Sequence, residues 1–427
     1  MTFNIYGLLV GIGIVVVTNT LDTYTSKQNF HLKITDYIIL LISTLIGARG
    51  IYILHNLREI SEGIVTWWNI PDGGLSIYGA LMGILISTFV ISRLRRIPFF
   101  VLTDGIVKNL PLAQSIGRFG NYFNHELYGK PSTLPWSIYI PIEKRLEGYT
   151  KYSTFHPAFI YESILNFFNW LILNKILRLR NYRDGTITSI YLINYGIIRL
   201  VMNTIRIDKE YLMGIETSDL ASVLAVSLGI LILILISPEK VKRNIAKIFS
   251  NVFNGYITLI LPLLYTVIFS DISTISKMLI SFVTAISPIS IFLILKKMKK
   301  VSDFDMTDRK ERPAYCVSTT IVFLIIYLIT LKLGDTALST IALNTLLTSG
   351  IFTLITFFWK ISGHITYLTM AYCSFLYVIP SPYTVLLFPI IPFVAWSRVE
   401  LKKHNVLQVI AGILLASLIS VLVFTLI

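Results

Sequence analysis

An all-α polytopic membrane protein is predicted by three observations. Of the 427 residues, 54% are hydrophobic and only 14% charged; mean hydropathy is +0.72; and apolar runs of about twenty residues recur along the whole chain. An average soluble protein carries about 25% charged residues, so an ordinary soluble enzyme is excluded. In hydrocarbon the backbone must satisfy its own polar groups, and unbroken runs of this length do so as helices.

The first run, Phe3 to about Val17, has no basic residue before it and no small-residue cleavage site after it, so it reads as a span and not as a removable signal peptide. Six further runs follow: Ile34 to Leu54, Leu75 to Ser92, Phe99 to Ile116, Ala158 to Leu177, Thr186 to Met202 and Leu220 to Ile236. With the amino terminus outside, the loops holding Lys27 and Lys33, then Arg93, Arg95 and Arg96, then Arg178, Arg180 and Arg183, and finally Lys240, Lys242, Arg243 and Lys247 all lie on the inner side, as the positive-inside rule requires. The polar segment 117–156 then lies outside, and a connection of that length predicts a small folded head. Residues 1–237 form one predicted domain, 238–250 a basic linker and 251–427 a second domain. The second domain has about six to seven spans: roughly Gly255 to Phe269, Ile275 to Leu295, Tyr315 to Leu331, Leu338 to Trp359, Ile365 to Ile379, Tyr383 to Val394 and Leu407 to Leu426.

The net charge of +14 would suggest nucleic acid in a soluble chain. Here the basic residues punctuate apolar runs and read as topology signals and headgroup contacts, so the bilayer is the expected partner and nucleic acid is not. Cys316 and Cys373 both sit in apolar runs, which gives no disulfide framework and no metal cluster. No cofactor is expected.

The densest polar stretch is Gly117-Arg118-Phe119-Gly120-Asn121-Tyr122-Phe123-Asn124-His125-Glu126-Leu127-Tyr128-Gly129, at the outer end of a membrane helix. Such polarity at a bilayer boundary is unfavourable unless it binds something polar. Glycines allow close backbone approach, an arginine fork matches a phosphate, and asparagine amides can fix ester or hydroxyl oxygens; the chemistry suggested is phospholipid headgroup recognition. The alternative is a snorkelling Arg118 among packing glycines. Arg49 lies in the second run. Arg199 lies deep in the sixth, and Arg206 follows seven residues later on the same helical face. His156-Pro157 opens the fifth run with Tyr161-Glu162 one turn in. Asp104, inside the fourth run, reads equally as a catalytic group or as a partner for a neighbouring helix.

These residues resemble the prolipoprotein diacylglyceryl transferase family. The Gly117 to Gly129 stretch matches its long signature residue by residue, and further matches follow in the family's order. They are Tyr6-Gly7, Gly47-Ala48-Arg49 with Tyr52, Gly73-Gly74-Leu75-Ser76-Ile77, Asp104 with Pro111, His156-Pro157 with Tyr161-Glu162, and Tyr195-Gly196 with Arg199 and Arg206. The resemblance implies a bacterial plasma-membrane enzyme, with its site facing outside, that moves the diacylglyceryl group of phosphatidylglycerol onto the lipobox cysteine of a prolipoprotein signal peptide. A thioether forms and glycerol phosphate leaves. Arg118 and Arg199 are then the expected phosphate-binding and leaving-group residues, with Glu126 and Tyr78 also in the catalytic set. Asn121, Asn124, Gly129, Tyr6, Arg49, His156 and Arg206 are the expected substrate contacts. Two departures from the family pattern leave the proton acceptor open among Glu126, His156 and a substrate phosphate oxygen: Tyr78-Gly79 where a histidine precedes glycine, and Asn203 where a glutamate follows the second arginine by four residues. A phenol, with an ordinary pKa near 10, is the poorer base.

In the second half, Arg312-Pro313, Ser362-Gly363-His364 and Ser397-Arg398 with His404 after five intervening residues resemble the type 2 phosphatidic-acid phosphatase family. That resemblance implies His404 as nucleophile, His364 as acid, and Arg312 and Arg398 as phosphate ligands. Asp305 replaces the family's leading lysine and Gln408 its aspartate after the nucleophile, so the module is either a divergent phosphatase or inactive. A lipid transporter or scaffold is the alternative of a different class, since intramembrane arginines and asparagines also line translocation paths.

Overall fold

A computed structural model describes residues 5–57, 76–176, 182–303, 306, 308–379 and 381–426. Apart from two-residue strand pairs, its regular structure is helical. Ten helical stretches among the described residues are long and apolar enough to cross a membrane, and they fall in both halves. The chain forms two compact units, one of Met1–Leu212 with Glu216–Ile236 and one of Met213–Ile215 with Ser237–Ile427.

The first unit comprises α1 (Ile5–Ser26), α2 (Ile34–His55), α3 (Ile77–Arg95), α4 (Phe99–Val107), α5 (Leu110–Asn124), α6 (Ala158–Ile176), α7 (Thr186–Asn203) and α8 (Thr217–Ile236). Leu21, Ile91, Val101, Leu102, Leu173 and Ile187 make its apolar core. Helices α4 to α7 fall outside the ten stretches because they are short or interrupted by polar groups, and three of them carry the candidate site. The single run expected from Phe99 to Ile116 is two helices. Pro111, without an N–H, starts α5 and cannot continue α4. Asn109 at the break is held by Thr20 (2.8 Å) and Trp170 (2.9 Å). Asp104 is fully buried and accepts the backbone N–H groups of Gly185 (2.7 Å) and Thr188 (2.8 Å), so it caps the start of α7 and is a partner for a neighbouring helix.

Helices α2 and α3 touch backbone to backbone at Gly47, Gly79 and Gly83. A Cβ on Gly79 would stand 2.7 Å from the Gly47 carbonyl carbon. At the end of the pair, Arg95 grips Asp36 with Nε and Nη2, each 2.9 Å from a carboxylate oxygen. Gly79→Val is expected to force the helices apart and remove about 1–3 kcal/mol of stability, as overpacking does, read as a lower unfolding midpoint in detergent. A midpoint equal to wild type would refute the close contact.

The polar segment expected as a head from residue 117 stays helical to Asn124, and the head proper follows. Its core is Tyr128, Ile140 and Phe155, over a ladder pairing Ile138 with Phe155 and Tyr139 with Thr154. The chain leaving α7 joins it: Gly129 bridges Arg206, and the Lys130 N–H donates to the Ile205 carbonyl at 2.9 Å.

The second unit comprises α9 (Glu239–Val252), α10 (Gly255–Phe269), α11 (Thr274–Lys297), α12 (Arg312–Leu333), α13 (Thr336–Phe358), α14 (Gly363–Val378), α15 (Ile390–Glu400) and α16 (Val406–Leu426). Leu259, Leu263, Phe323, Ile326, Leu338 and Met370 pack at its centre, where Asn344 bonds Ser374 and Ser420. Two sequence expectations change here. The segment expected as a linker is helix α9, and the run from Tyr383 to Val394 is a 3-10 turn (Pro382–Leu387) followed by α15, parted at Pro389.

Candidate functional site

In the first unit three guanidinium groups converge on one carboxylate. Glu162, one turn into α6, is 1% exposed. Arg118 of α5 donates to its Oε1 at 2.6 Å, while Arg206 and Arg199 place Nη1 at 3.5 Å and 3.7 Å from its Oε2. The register that allows this is set nearby: the Ser115 and Ser163 hydroxyls meet at 2.9 Å, and Ser163 also bonds the Ser115 carbonyl. On α7, Tyr191 and Tyr195 stack, Gln114 donates to the Tyr191 hydroxyl at 3.0 Å, and Arg199 comes one turn after Tyr195.

Arg206 is tied additionally to Asp208. Among the described residues three guanidinium groups thus gather around Glu162 and Asp208 in a partly buried site, a concentration of positive charge. Such a concentration is unfavourable in a low-dielectric setting and is relieved by an anion. Arg199 makes no hydrogen bond among the described residues, and its 3.7 Å approach to Glu162 is electrostatic only. Its donors can therefore meet a ligand without breaking an existing bond. The cluster can bind a phosphodiester and stabilise charge growing on a departing phosphate oxygen.

The other predicted residues distribute around this centre. Asn121, buried, and Asn124 both donate to Glu126 Oε1, at 2.7 and 3.2 Å, so the three side chains form a local tie at the end of α5. The His156 backbone accepts the Gly129 N–H at 2.8 Å. Gly129 has no room for a side chain, since a Cβ would stand 2.7 Å from Ile205 Cγ2. His156 Nδ1 meets the Tyr161 hydroxyl at 3.2 Å, and Trp136 Nε1 donates to that same oxygen at 2.7 Å. Arg49 is buried with its guanidinium over the Tyr52 ring. Tyr78 is 41% exposed on α3 and makes no hydrogen bond to the arginines. Asn203, at the expected glutamate position, donates to Asp219 at 2.7 Å, so a carboxylate does lie beside it, supplied by α8. The Tyr6 side chain, Gly73-Gly74-Leu75 and Asp305 lie outside the described residues.

Sequence reasoning quoted Glu162 only as a supporting match and did not single out Asp208 as part of the site. The available signal was a lone carboxylate inside an apolar helix, which demands a cationic partner.

In the second unit the four predicted residues come together. A cavity of about 80 Å³ is lined by Arg312, His364 and His404 with Tyr315, Tyr367 and Phe352. Arg398 Nη1 lies 3.4 Å from His364 Nε2. His404 Nδ1 is 3.1 Å from Gln408 Oε1. That oxygen also accepts the Asn405 N–H, so the imidazole donates from Nδ1 and keeps Nε2 as a lone pair. Gln408 thus orients His404 as a carboxylate would, without supplying charge. Burial first, then Arg312 and Arg398, push the His404 pKa down to about 3, against the small opposing effect of Gln408.

A family model described as prolipoprotein diacylglyceryl transferase matches residues 1–235. A phosphatidylglycerol–prolipoprotein diacylglyceryl transferase of Thermotoga maritima is 33% identical over 246 residues, covering 56% of this chain and 83% of that protein. Proteins of the same description from Trichormus variabilis, 32% identical over 241 residues (54% of this chain, 84% of the relative), and Synechococcus elongatus, 31% identical over 257 residues (58% and 88%), are also similar. The family match ends at residue 235, before the Ser237–Ile427 segment of the second unit.

Proposed function

Because the chain belongs to the prolipoprotein diacylglyceryl transferase family, we infer that its first unit joins the diacylglyceryl group of phosphatidylglycerol to the lipobox cysteine sulfur of a prolipoprotein, with the arginines around Glu162 seating the phosphodiester. The single observation that carries the site assignment is the convergence of the Arg118, Arg199 and Arg206 guanidinium groups on the buried Glu162 carboxylate.

The sulfur attacks the glyceryl carbon that bears the phosphate oxygen. The carbon–sulfur bond forms as the carbon–oxygen bond breaks, and that electron pair leaves on glycerol phosphate. The thiol proton passes to Glu126, to His156 or to the departing phosphate oxygen. Arg118 and Arg199 meet the charge on that oxygen, which is greatest in the transition state. Asn121 and Asn124 hold Glu126 near the headgroup, and Gly129 lets the chain turn into the head. Tyr78, Tyr6 and Arg49 are assigned to the surroundings of the acyl-glycerol. The basic inner loops support a multi-pass arrangement in the bacterial plasma membrane with this site outside.

The test uses the full chain in phosphatidylglycerol-containing membranes with a lipobox peptide. The peptide should gain one diacylglyceryl mass; an unchanged peptide, where a relative transfers under the same conditions, would overturn the assignment. A transporter or scaffold predicts the unchanged peptide. If Tyr78 borders the reacting thiol, Tyr78→His should raise transfer severalfold below pH 8 by adding an imidazole, measured as the pH profile of the rate; an unchanged profile would remove position 78 from the proton path.

For the second unit, Arg312, His364 and His404 on one cavity, with Arg398 beside His364, favour a lipid-phosphate phosphatase reading: a bond from His404 Nε2 to phosphorus forms as the ester P–O bond breaks, the diacylglycerol oxygen leaves with a proton from His364, and water then releases phosphate from His404. The His404 imidazole is neutral down to about pH 3. Hydrolysis of phosphatidate should therefore fall less than about twofold from pH 7 to pH 5 on account of this group, where an ordinary histidine, pKa about 6.5, would lose roughly thirtyfold. The linkage sign follows: an unfolded chain takes up this proton near pH 6.5 and the folded one near pH 3. The contribution of His404 to stability is thus complete above about pH 6.5 and is lost as the pH falls from there toward 3. His404→Ala should abolish hydrolysis; phosphate release from phosphatidate unchanged in that variant would mark the unit as non-catalytic.

A further inference from the structure

We propose that α9 is a membrane-surface helix that binds anionic lipid headgroups. Between Glu239 and Val252 it carries Lys240, Lys242, Arg243 and Lys247 against the single acid Glu239, a net charge of +3. Lys242 pairs with Glu239 at 3.2 Å. Lys240, Arg243 and Lys247 are exposed and have no ion pair among the described residues. They share one helical face with Asn244 and Asn251. Beside that face, about 100° around the helix, runs an apolar stripe seven and eleven residues long in its spacing: Val241, Ile248 and Val252, exposed by 42, 62 and 57%.

The third face is occupied by the unit itself. Phe249 stacks on Phe393 of α15 with centroids 5.4 Å apart, Ala246 is fully buried, and Ser250 accepts from Arg398 at 2.6 Å. The helix is therefore fixed in rotation, and its apolar and basic stripes are surfaces of the folded unit. Its position along the chain sets their depth. After Phe253, the Asn254 side chain accepts the Tyr256 N–H at 2.9 Å and starts α10; the membrane-crossing stretch Glu239–Phe269 carries all of its charged residues within α9, so the fourteen residues of α9, about 21 Å long, form its polar end, the end suited to a membrane boundary. An apolar stripe flanked by cations at that level matches a bilayer whose headgroups are negative, with the stripe among the upper acyl chains and the cations at the phosphates. Cations beside an exposed apolar stripe, continuous with a membrane-crossing run, match the layered polarity of an anionic lipid surface, which is the occupant this pattern selects. Through Ser250, the same helix ties that surface to the arginine beside His364.

The experiment is hydrogen–deuterium exchange of the full chain in nanodiscs of phosphatidylcholine alone or with one third phosphatidylserine, an anionic lipid chosen because it lacks the glycerol headgroup of the transferase substrate. With the anionic lipid, amides of 239–252 should exchange roughly tenfold to a hundredfold more slowly, on the basis of about tenfold or less per basic residue at such a surface. The slowing should vanish in Lys240→Gln/Arg243→Gln/Lys247→Gln and persist in Lys240→Arg/Lys247→Arg, with α13 protected equally in all. Equal exchange of wild-type α9 in the two lipids would overturn the proposal, as would slowing that survives removal of the three charges.

Discussion

Glu162→Ala is expected to abolish diacylglyceryl transfer and to destabilise the first unit by about 3–5 kcal/mol, the usual cost of removing one member of a buried ion cluster. The carboxylate is buried and faces three guanidinium groups within 3.7 Å. Without it Arg118, Arg199 and Arg206 repel one another at the junction of α5, α6 and α7. Glu162→Gln keeps the volume and a carbonyl for Arg118 but loses the charge, so it should recover part of the stability and little of the rate. Thermal unfolding in detergent beside the transfer rate separates the two effects. A Glu162→Ala protein of wild-type stability and activity would mean that the carboxylate does not organise the arginines.

Arg199→Ala is the second large effect, and it should have the opposite division between stability and rate. Arg199 gives no hydrogen bond to the protein among the described residues, so its removal should change stability by less than about 1 kcal/mol. In its proposed role as a donor to charge that develops on the leaving phosphate, its loss should cost roughly a hundredfold to a thousandfold in kcat, the range for loss of one such donor. Arg206→Ala, by contrast, breaks contacts to both Glu162 and Asp208 and should lose stability first. An Arg199→Ala variant whose KM rises while kcat holds would show that the guanidinium binds substrate and transition state equally.

The helices were legible because lipid removes the ambiguity of short apolar runs: a stretch such as Ile34–His55 has little choice but to span. Arg118 and Arg199 were legible for the converse reason, since a charge in an apolar run must answer to something. What sequence could not supply was proximity between helices. Glu162 and Asp219 acquire their meaning only from Arg118 on α5 and from Asn203 at the end of α7. The break at Lys108 and Asn109 was hidden because the mainly apolar segments on either side of it together have the length of one span, and α9 was hidden because a dense run of lysines reads as a linker until its buried face, Ala246, Phe249 and Ser250, is seen against α15. Gln408 likewise looked like a loss, and geometry shows that its carbonyl still orients His404.

The most direct measurement compares two variants of the full chain in one assay, the mass gain of a lipobox peptide in phosphatidylglycerol membranes. Arg118→Ala removes the 2.6 Å contact to Glu162, and His364→Ala/His404→Ala removes both imidazoles from the second unit's cavity. Transfer that falls at least a hundredfold in the first variant and is unchanged in the second is the predicted result. Transfer that survives Arg118→Ala but fails in the histidine variant would contradict the placement of the reaction in the arginine cluster of the first unit.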